Sequence, residues 1–139
     1  MHILDTDTLS HLHAGNQNVI RAIQQLPDPD ISTTIITKIE MLRGRIDYIL
    51  KAQADQDLLK AQQLFYRTEE LLSQIEVMTV TQDAVNRLAE LVAIPKLRKV
   101  GRADLIIASI ALSHRATLVT RNLRHFRQIL GLKVTNWVD

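Results

Sequence analysis

Alternation narrows the fold of this chain more than any other feature. Short β-prone runs at Ile3-Leu4 ending on Asp5, Ile31 to Thr34 feeding a helix cap, Glu76 to Val80, Thr117 to Thr120 and Leu132 to Val138 are separated by segments with helical periodicity. Strands that alternate with helices favour a parallel sheet covered on both faces. A helix is expected over Thr8 to Ala14, punctuated by Gly15-Asn16. A second follows, with Val19, Ile20, Ile23 and Leu26 on one face, and Pro27-Asp28-Pro29 ends it. From Thr34 to Leu50, Ile35, Ile39, Leu42, Ile46 and Ile49 recur at helical spacing and predict an inward face. Ala52 to Ser73, carrying Leu58, Leu59, Leu64, Phe65, Leu71 and Leu72, predicts a partner helix, so the two form a helical hairpin. Thr81-Gln82-Asp83 caps a helix with Ala84, Val85, Leu88, Leu91 and Val92 that closes at Pro95. The helix opened by Gly101-Arg102-Ala103-Asp104 is apolar almost all round from Leu105 to Leu112, which predicts burial. Leu123 to Ile129 reads as a brief helix stopped by Gly131, before a last strand at the sheet edge. The expectation is one domain spanning 1–139, an α/β fold of three layers with a short, mainly parallel central sheet.

Composition restricts the chemistry. Seventeen Lys and Arg against fifteen Asp and Glu leave a formal charge of +2, so any nucleic-acid argument has to be local rather than global. With no cysteine there is neither a disulfide framework nor a thiolate metal site, and a metal would need oxygen or imidazole ligands. No apolar run approaches the roughly 18 residues of a membrane span, and no signal-like segment opens the chain. A soluble, cytoplasmic protein with no membrane partner is expected.

Asp5 ends the first strand, at the carboxyl edge where open α/β sheets bind ligands. Three further polar residues occupy comparable places. Glu40 lies one turn beyond Ile36, near the buried side of its helix; Asp104 sits in the first turn of the buried helix; Asn122 follows a later strand. Singly each has an ordinary reading. Asp5 is a helix cap, Asp104 complements a helix dipole, and Glu40 is a solvated residue paired with Arg43 or Lys38. Together they suggest one oxygen-rich site for a hard divalent ion such as Mg²⁺ or Mn²⁺.

The segments that carry this set are Ile3-Leu4-Asp5-Thr6-Asp7, Ile39-Glu40-Met41-Leu42-Arg43-Gly44, Gly101-Arg102-Ala103-Asp104-Leu105-Ile106-Ile107-Ala108 and Leu118-Val119-Thr120-Arg121-Asn122-Leu123-Arg124-His125-Phe126, leading to Gly131 to Trp137. In order and spacing they resemble the PIN-domain ribonucleases, specifically the VapC-type toxins of prokaryotic toxin-antitoxin pairs. The resemblance implies that Asp5, Glu40 and Asp104 bind Mg²⁺ or Mn²⁺ and carry catalysis. Asn122 matches a fourth position that is often Asp; as an amide it leaves the site one formal negative charge poorer, and one or two ions per site both stay open. Thr120 and Thr6 would support the site. Asp7, at a position often filled by Asn, reads as a capping residue. The resemblance further implies hydrolysis of RNA, a small antitoxin lying across the helical hairpin, and a homodimer.

Basic residues flank the acidic set: Lys38, Arg43 and Arg45; Lys96, Arg98, Lys99 and Arg102; Arg121, Arg124 and Arg127. A carboxylate site acting on a polyanion needs such counter-charges. Arg43, Arg102 and Arg121 are the candidates for RNA contact, Arg102 first. The five histidines read as structural or surface residues, and Trp137 and the hairpin's large apolar residues as core or interface rather than stacking platforms, since aromatic residues make up only 4% of the chain.

Two other readings compete. Asp5-Thr6-Asp7-Thr8 also fits the Asp-x-Asp-x-Thr nucleophile motif of haloacid-dehalogenase-like phosphatases, with Asp5 attacking phosphate and Asp7 as the acid. The acidic pair those enzymes use for Mg²⁺ is missing, because Asp104 has no downstream carboxylate before Asp139. The other reading is a non-catalytic binding module of the same fold, its site decayed at Asn122.

Overall fold

The computed structural model describes residues 1–27 and 29–139. The chain opens with β1 (His2–Leu4) and passes directly into α1 (Thr6–His13), because the Asp5 carboxylate accepts the Thr8 amide at 2.9 Å and caps the helix. That cap starts α1 two residues before the expected Thr8. α2 (Gln17–Gln24) is capped in the same way by Asn16, and β2 (Ile31–Thr34) ends, as expected, on Thr34, whose hydroxyl caps α3 (Ile35–Lys51). Of the Pro27-Asp28-Pro29 stop, Asp28 lies outside the described residues. α4 (Asp55–Gln74) leads to β3 (Glu76–Met78), and Thr81 caps α5 (Gln82–Val92). A 3₁₀ turn (Pro95–Leu97) precedes α6 (Arg102–Ser113), β4 (Thr117–Val119), α7 (Leu123–Phe126) and β5 (Lys133–Thr135).

The last strands are shorter than their apolar runs. β5 stops at Thr135 because the Asn136 side chain accepts from the Val138 and Asp139 amides, drawing them into a local turn instead of a ladder. α7 stops at Phe126, and Ile129 is buried from the turn beyond it.

All five strands are parallel, in the order β3-β2-β1-β4-β5. The strand that opens the chain is therefore the central one. Sequence runs outward from it on one side through β2 and β3, and on the other through β4 and β5, so the order reverses between β1 and β4. In doubly wound sheets the crevice beyond the strand ends at such a reversal is where ligands bind.

Successive strand residues face opposite layers, as the two-residue period of a strand requires. Ile3 and Leu118 pack with Ala108, Ile110 and Phe126 on the α5–α6 face, whereas Leu4 and Val119 pack with Leu9, Met41 and Leu72 on the α1–α3–α4 face. α6 buries Leu105, Ile107, Ala108, Ser109, Ile110 and Ala111, as its composition predicts. The observed architecture is the expected three-layer α/β/α arrangement.

The expected inward face of α3 holds at Ile35 and Leu42, which are partly buried against the core, and fails at Ile39 and Ile46. Ile39 and Ile46 are 45% and 46% exposed, and the buried line runs through Thr37 and Met41, roughly 200° around the helix from Ile39. On α4 the buried residues are Ala61, Thr68 and Leu72, while Leu58 and Leu59 are exposed. Thr37, Ala61 and Thr68 share the inner positions with Met41 and Leu72, and Ile39, Ile46, Leu58 and Leu59 are left outside. Among the described residues no helix is long and apolar enough to cross a membrane.

Candidate active site

The site forms at the strand reversal. Asp5 follows β1, donates its amide to the Val119 carbonyl at 3.1 Å and gives one carboxylate oxygen to the Thr8 amide, so strand and helix together fix it. Thr8, fully buried, adds a hydroxyl bond to Val119 O across the same gap. Glu40 is positioned from α3 by a chain of hydroxyls. Thr6 donates to Glu40 Oε1 at 2.6 Å and lies 3.0 Å from the buried Thr37 hydroxyl, which accounts for Thr37 facing inward. Asp104 enters from the first turn of α6. Asp5, Thr6, Asp7, Glu40, Asp104, Ile107, Asn122 and Phe126 line one cavity of about 230 Å³.

Burial pushes the Asp5 carboxyl above its ordinary range, countered by the Thr120 hydroxyl and the Thr8 amide. Asp104 is also pushed up, first by burial and then by the Asp5 and Glu40 charges, with His125 opposing. Among the described residues no Lys or Arg forms an ion pair with Asp5, Glu40 or Asp104. Four carboxylates thus line a small cavity, of which only Asp7 has an Arg partner, and a proton or a bound cation would relieve the repulsion among the other three.

The donor set fits a hard divalent ion, since it offers only carboxylate, hydroxyl and amide oxygens. Among the described residues no three His, Asp or Glu side chains converge closely enough to enclose an ion by themselves. The set therefore suits an ion that keeps part of its water shell, as Mg²⁺ does.

The remaining sequence candidates are placed as follows. Thr120 is fully buried and its hydroxyl accepts the Asn122 amide at 3.0 Å, which bends the chain so that Asn122 reaches the cavity. Asn122 Nδ2 bonds His125 Nδ1 at 2.9 Å. Asp7 is not a cap, contrary to expectation; Asp5 does that work, and the half-exposed Asp7 carboxylate lies 3.7 Å from Arg121 and 3.6 Å from His11. Arg121 is held mainly by Asp139, at 3.3 Å, in an adjoining hollow lined by Asp5, Asp7, Asn122 and Asp139. Arg43 and Arg102 are exposed and line neither hollow. Three site neighbours were not anticipated: Thr37, His125 and Asp139. His125 had a signal, standing three residues after Asn122 and so on the same side of a helical turn; Asp139 had none, because only folding brings it to Arg121.

A PIN domain family model matches residues 2–131. Ribonuclease VapC1 of Haemophilus influenzae (strain R2866) is 26% identical over 139 residues, covering 99% of this chain and 98% of the relative. Ribonuclease VapC2 of Rickettsia felis is 47% identical over 38 residues, 27% of this chain and 28% of the relative. Among solved structures, VapBC-1 from nontypeable H. influenzae superposes with a TM-score of 0.79 at 25% identity, covering 99% of this chain and 98% of that one. VapBC2 from R. felis, bound to a DNA fragment from its promoter, gives 0.80 at 23% identity over 98% of both chains.

Proposed function

The chain belongs to the PIN-domain family, and from that premise we propose that it is a Mg²⁺- or Mn²⁺-dependent endoribonuclease, the toxin of a toxin-antitoxin pair. The observation that carries the reading is the meeting of Asp5, Glu40, Asp104 and Asn122 in one cavity at the sheet's strand reversal, with no protein cation among the described residues to balance the carboxylates.

Asp5 and Asp104 would hold the ion, with Asn122 contributing a neutral oxygen or orienting water. When bound, the ion supplies a lowered pKa for water and charge stabilisation at the phosphate. Glu40 acts beside it. Thr6 pins one Glu40 oxygen, leaving the other to orient an attacking water and accept its proton. Thr120 keeps Asn122 in place through its backbone. No covalent intermediate is required, so the hydroxyls around the site serve as supports rather than nucleophiles.

The phosphatase alternative needs Asp7 as a free acid, and Asp7 is instead engaged with Arg121 and His11. A decayed binding module would have no need to bring three carboxylates together against their mutual repulsion.

The partners proposed are RNA as substrate, a small antitoxin and a second copy of the chain, all in the cytoplasm. Ile39, Ile46, Leu58, Leu59 and Tyr66 remain exposed on α3 and α4, a surface of the kind that partner chains cover.

The direct test incubates the purified protein with mixed single-stranded RNA and Mn²⁺ or Mg²⁺. Endonucleolytic cleavage is expected, abolished by a chelator and by Asp104→Asn. Cleavage that survives both would overturn the metal mechanism, and an inert parent protein would overturn the ribonuclease reading.

A further inference from the structure

Beyond His125 lies a second cavity, of about 460 Å³, lined by Lys96, Lys99, Val100, Arg124, His125 and Gln128. No carboxylate lines it, and among the described residues Lys96, Lys99 and Arg124 form no ion pair. All three are exposed. Two elements far apart in sequence build the cleft, the 3₁₀ turn with the loop after it, and α7. It is joined to the acidic site through one contact, because His125 lines the cleft while its Nδ1 meets the side-chain amide of Asn122, which lines the carboxylate cavity. Arg121, by contrast, is committed to Asp139 and Asp7.

A site with three carboxylates repels a polyanion, so a strand reaching it needs cations alongside that are not already neutralised. The cleft supplies them. It holds no Phe, Tyr or Trp, Val100 being its one apolar lining residue and the His125 ring its one aromatic group. Recognition there falls on phosphate oxygens rather than base faces, with Arg as a fork and Lys as point charges.

We infer that this cleft is a backbone-phosphate subsite for single-stranded RNA, in which Lys96, Lys99 and Arg124 hold phosphates flanking the bond presented to the acidic site, with His125 at the junction. The inference rests on the ribonuclease reading above and adds to it where the strand runs. It also moves the cationic footprint away from Arg43, Arg102 and Arg121 to residues the fold gathers.

The test titrates a fluorescein-labelled single-stranded oligoribonucleotide, in chelator and over a range of KCl, with the parent, the triple variant Lys96→Gln/Lys99→Gln/Arg124→Gln and its charge-keeping counterpart Lys96→Arg/Lys99→Arg/Arg124→Lys. Anisotropy should show the glutamine variant binding about tenfold or more weakly. Its plot of log K against log salt should be flatter by about 2, at roughly 0.7 per single-strand phosphate contact. The charge-keeping variant and Lys60→Gln, on the exposed face of α4, should bind as the parent does, and matching circular dichroism melts establish that the fold is intact. A glutamine variant that keeps parental affinity and salt slope while still cleaving RNA overturns the subsite and leaves the ribonuclease reading untouched. A parent that binds RNA through these residues yet leaves it uncut in Mg²⁺ and in Mn²⁺ overturns the ribonuclease reading and leaves the phosphate contacts standing.

Discussion

Asp5 does two jobs whose energetics can be separated. As an N-cap it satisfies the Thr8 amide, and as a carboxylate it lines the acidic cavity. Asparagine caps a helix about as well as aspartate, whereas alanine does not. Asp5→Asn is therefore expected to lower RNA cleavage at least about a hundredfold, on the scale of losing a group that acts only in the transition state, without lowering the melting temperature. Asp5→Ala should lose activity equally and also about 1 kcal/mol of stability, a drop of roughly 3 °C at this chain length. Differential scanning calorimetry beside a cleavage assay distinguishes the two. A melting point that falls equally for both variants would show that the charge itself supports the fold. Asp7, which looks equivalent in sequence, should tolerate Asn in the cleavage assay, since its partners lie outside the carboxylate cluster.

At the scale of elements, the hairpin of α3 and α4 is tied to α1 by polar contacts. The Thr68 hydroxyl gives its proton to the Leu64 carbonyl and takes hydrogen bonds from Arg45 Nε at 3.1 Å and His13 Nε2 at 3.2 Å. Burial holds the His13 ring below its ordinary pKa, and Arg45 and Arg67 add to that, so the neutral, Nε2-protonated ring fits the site. At the other end of α4, Leu58 and Leu59 are exposed. If a partner covers them, charge placed there should weaken association and leave the fold alone. Leu58→Glu/Leu59→Glu is expected to reduce self-association in multi-angle light scattering while cleaving RNA at the parental rate. Unchanged mass at every concentration, when the parent is itself oligomeric, would place the interface elsewhere.

For the whole molecule, the acidic site couples stability to pH and metal. Asp5 and Asp104 have folded-state carboxyl pKa values raised above their unfolded ones. Their contribution favours the native state fully below the unfolded carboxyl value and is lost as pH rises through the folded value. In metal-free buffer at neutral pH, Asp104→Asn should therefore melt a few degrees above the parent, with the gap closing in acid. Adding Mg²⁺ should raise the parent's melting temperature in proportion to log concentration, through binding to the native state alone, and move Asp104→Asn little. A parent indifferent to Mg²⁺ up to millimolar levels would count against the ion. How much of this was legible beforehand varies by residue. The sequence by itself determined the alternation of strands and helices, the burial of α6 and the types of residue in the acidic set, because backbone period and side-chain chemistry are local properties. Helix ends were less legible, since a cap is a hydrogen bond in space; Asp5 rather than Asp7 made it. The inward face of α3 was legible at Ile35 and Leu42 and misread at Ile39 and Ile46, because the fold turns Thr37 and Met41 inward instead. Only the tertiary structure decided which charges are neutralised and which are free. Arg121 meets Asp139 across 18 positions, and Lys96, Lys99 and Arg124 meet in one cleft. Coulombic energy depends on distance through space, and a parallel sheet with its crossovers sets those distances between residues far apart in the chain.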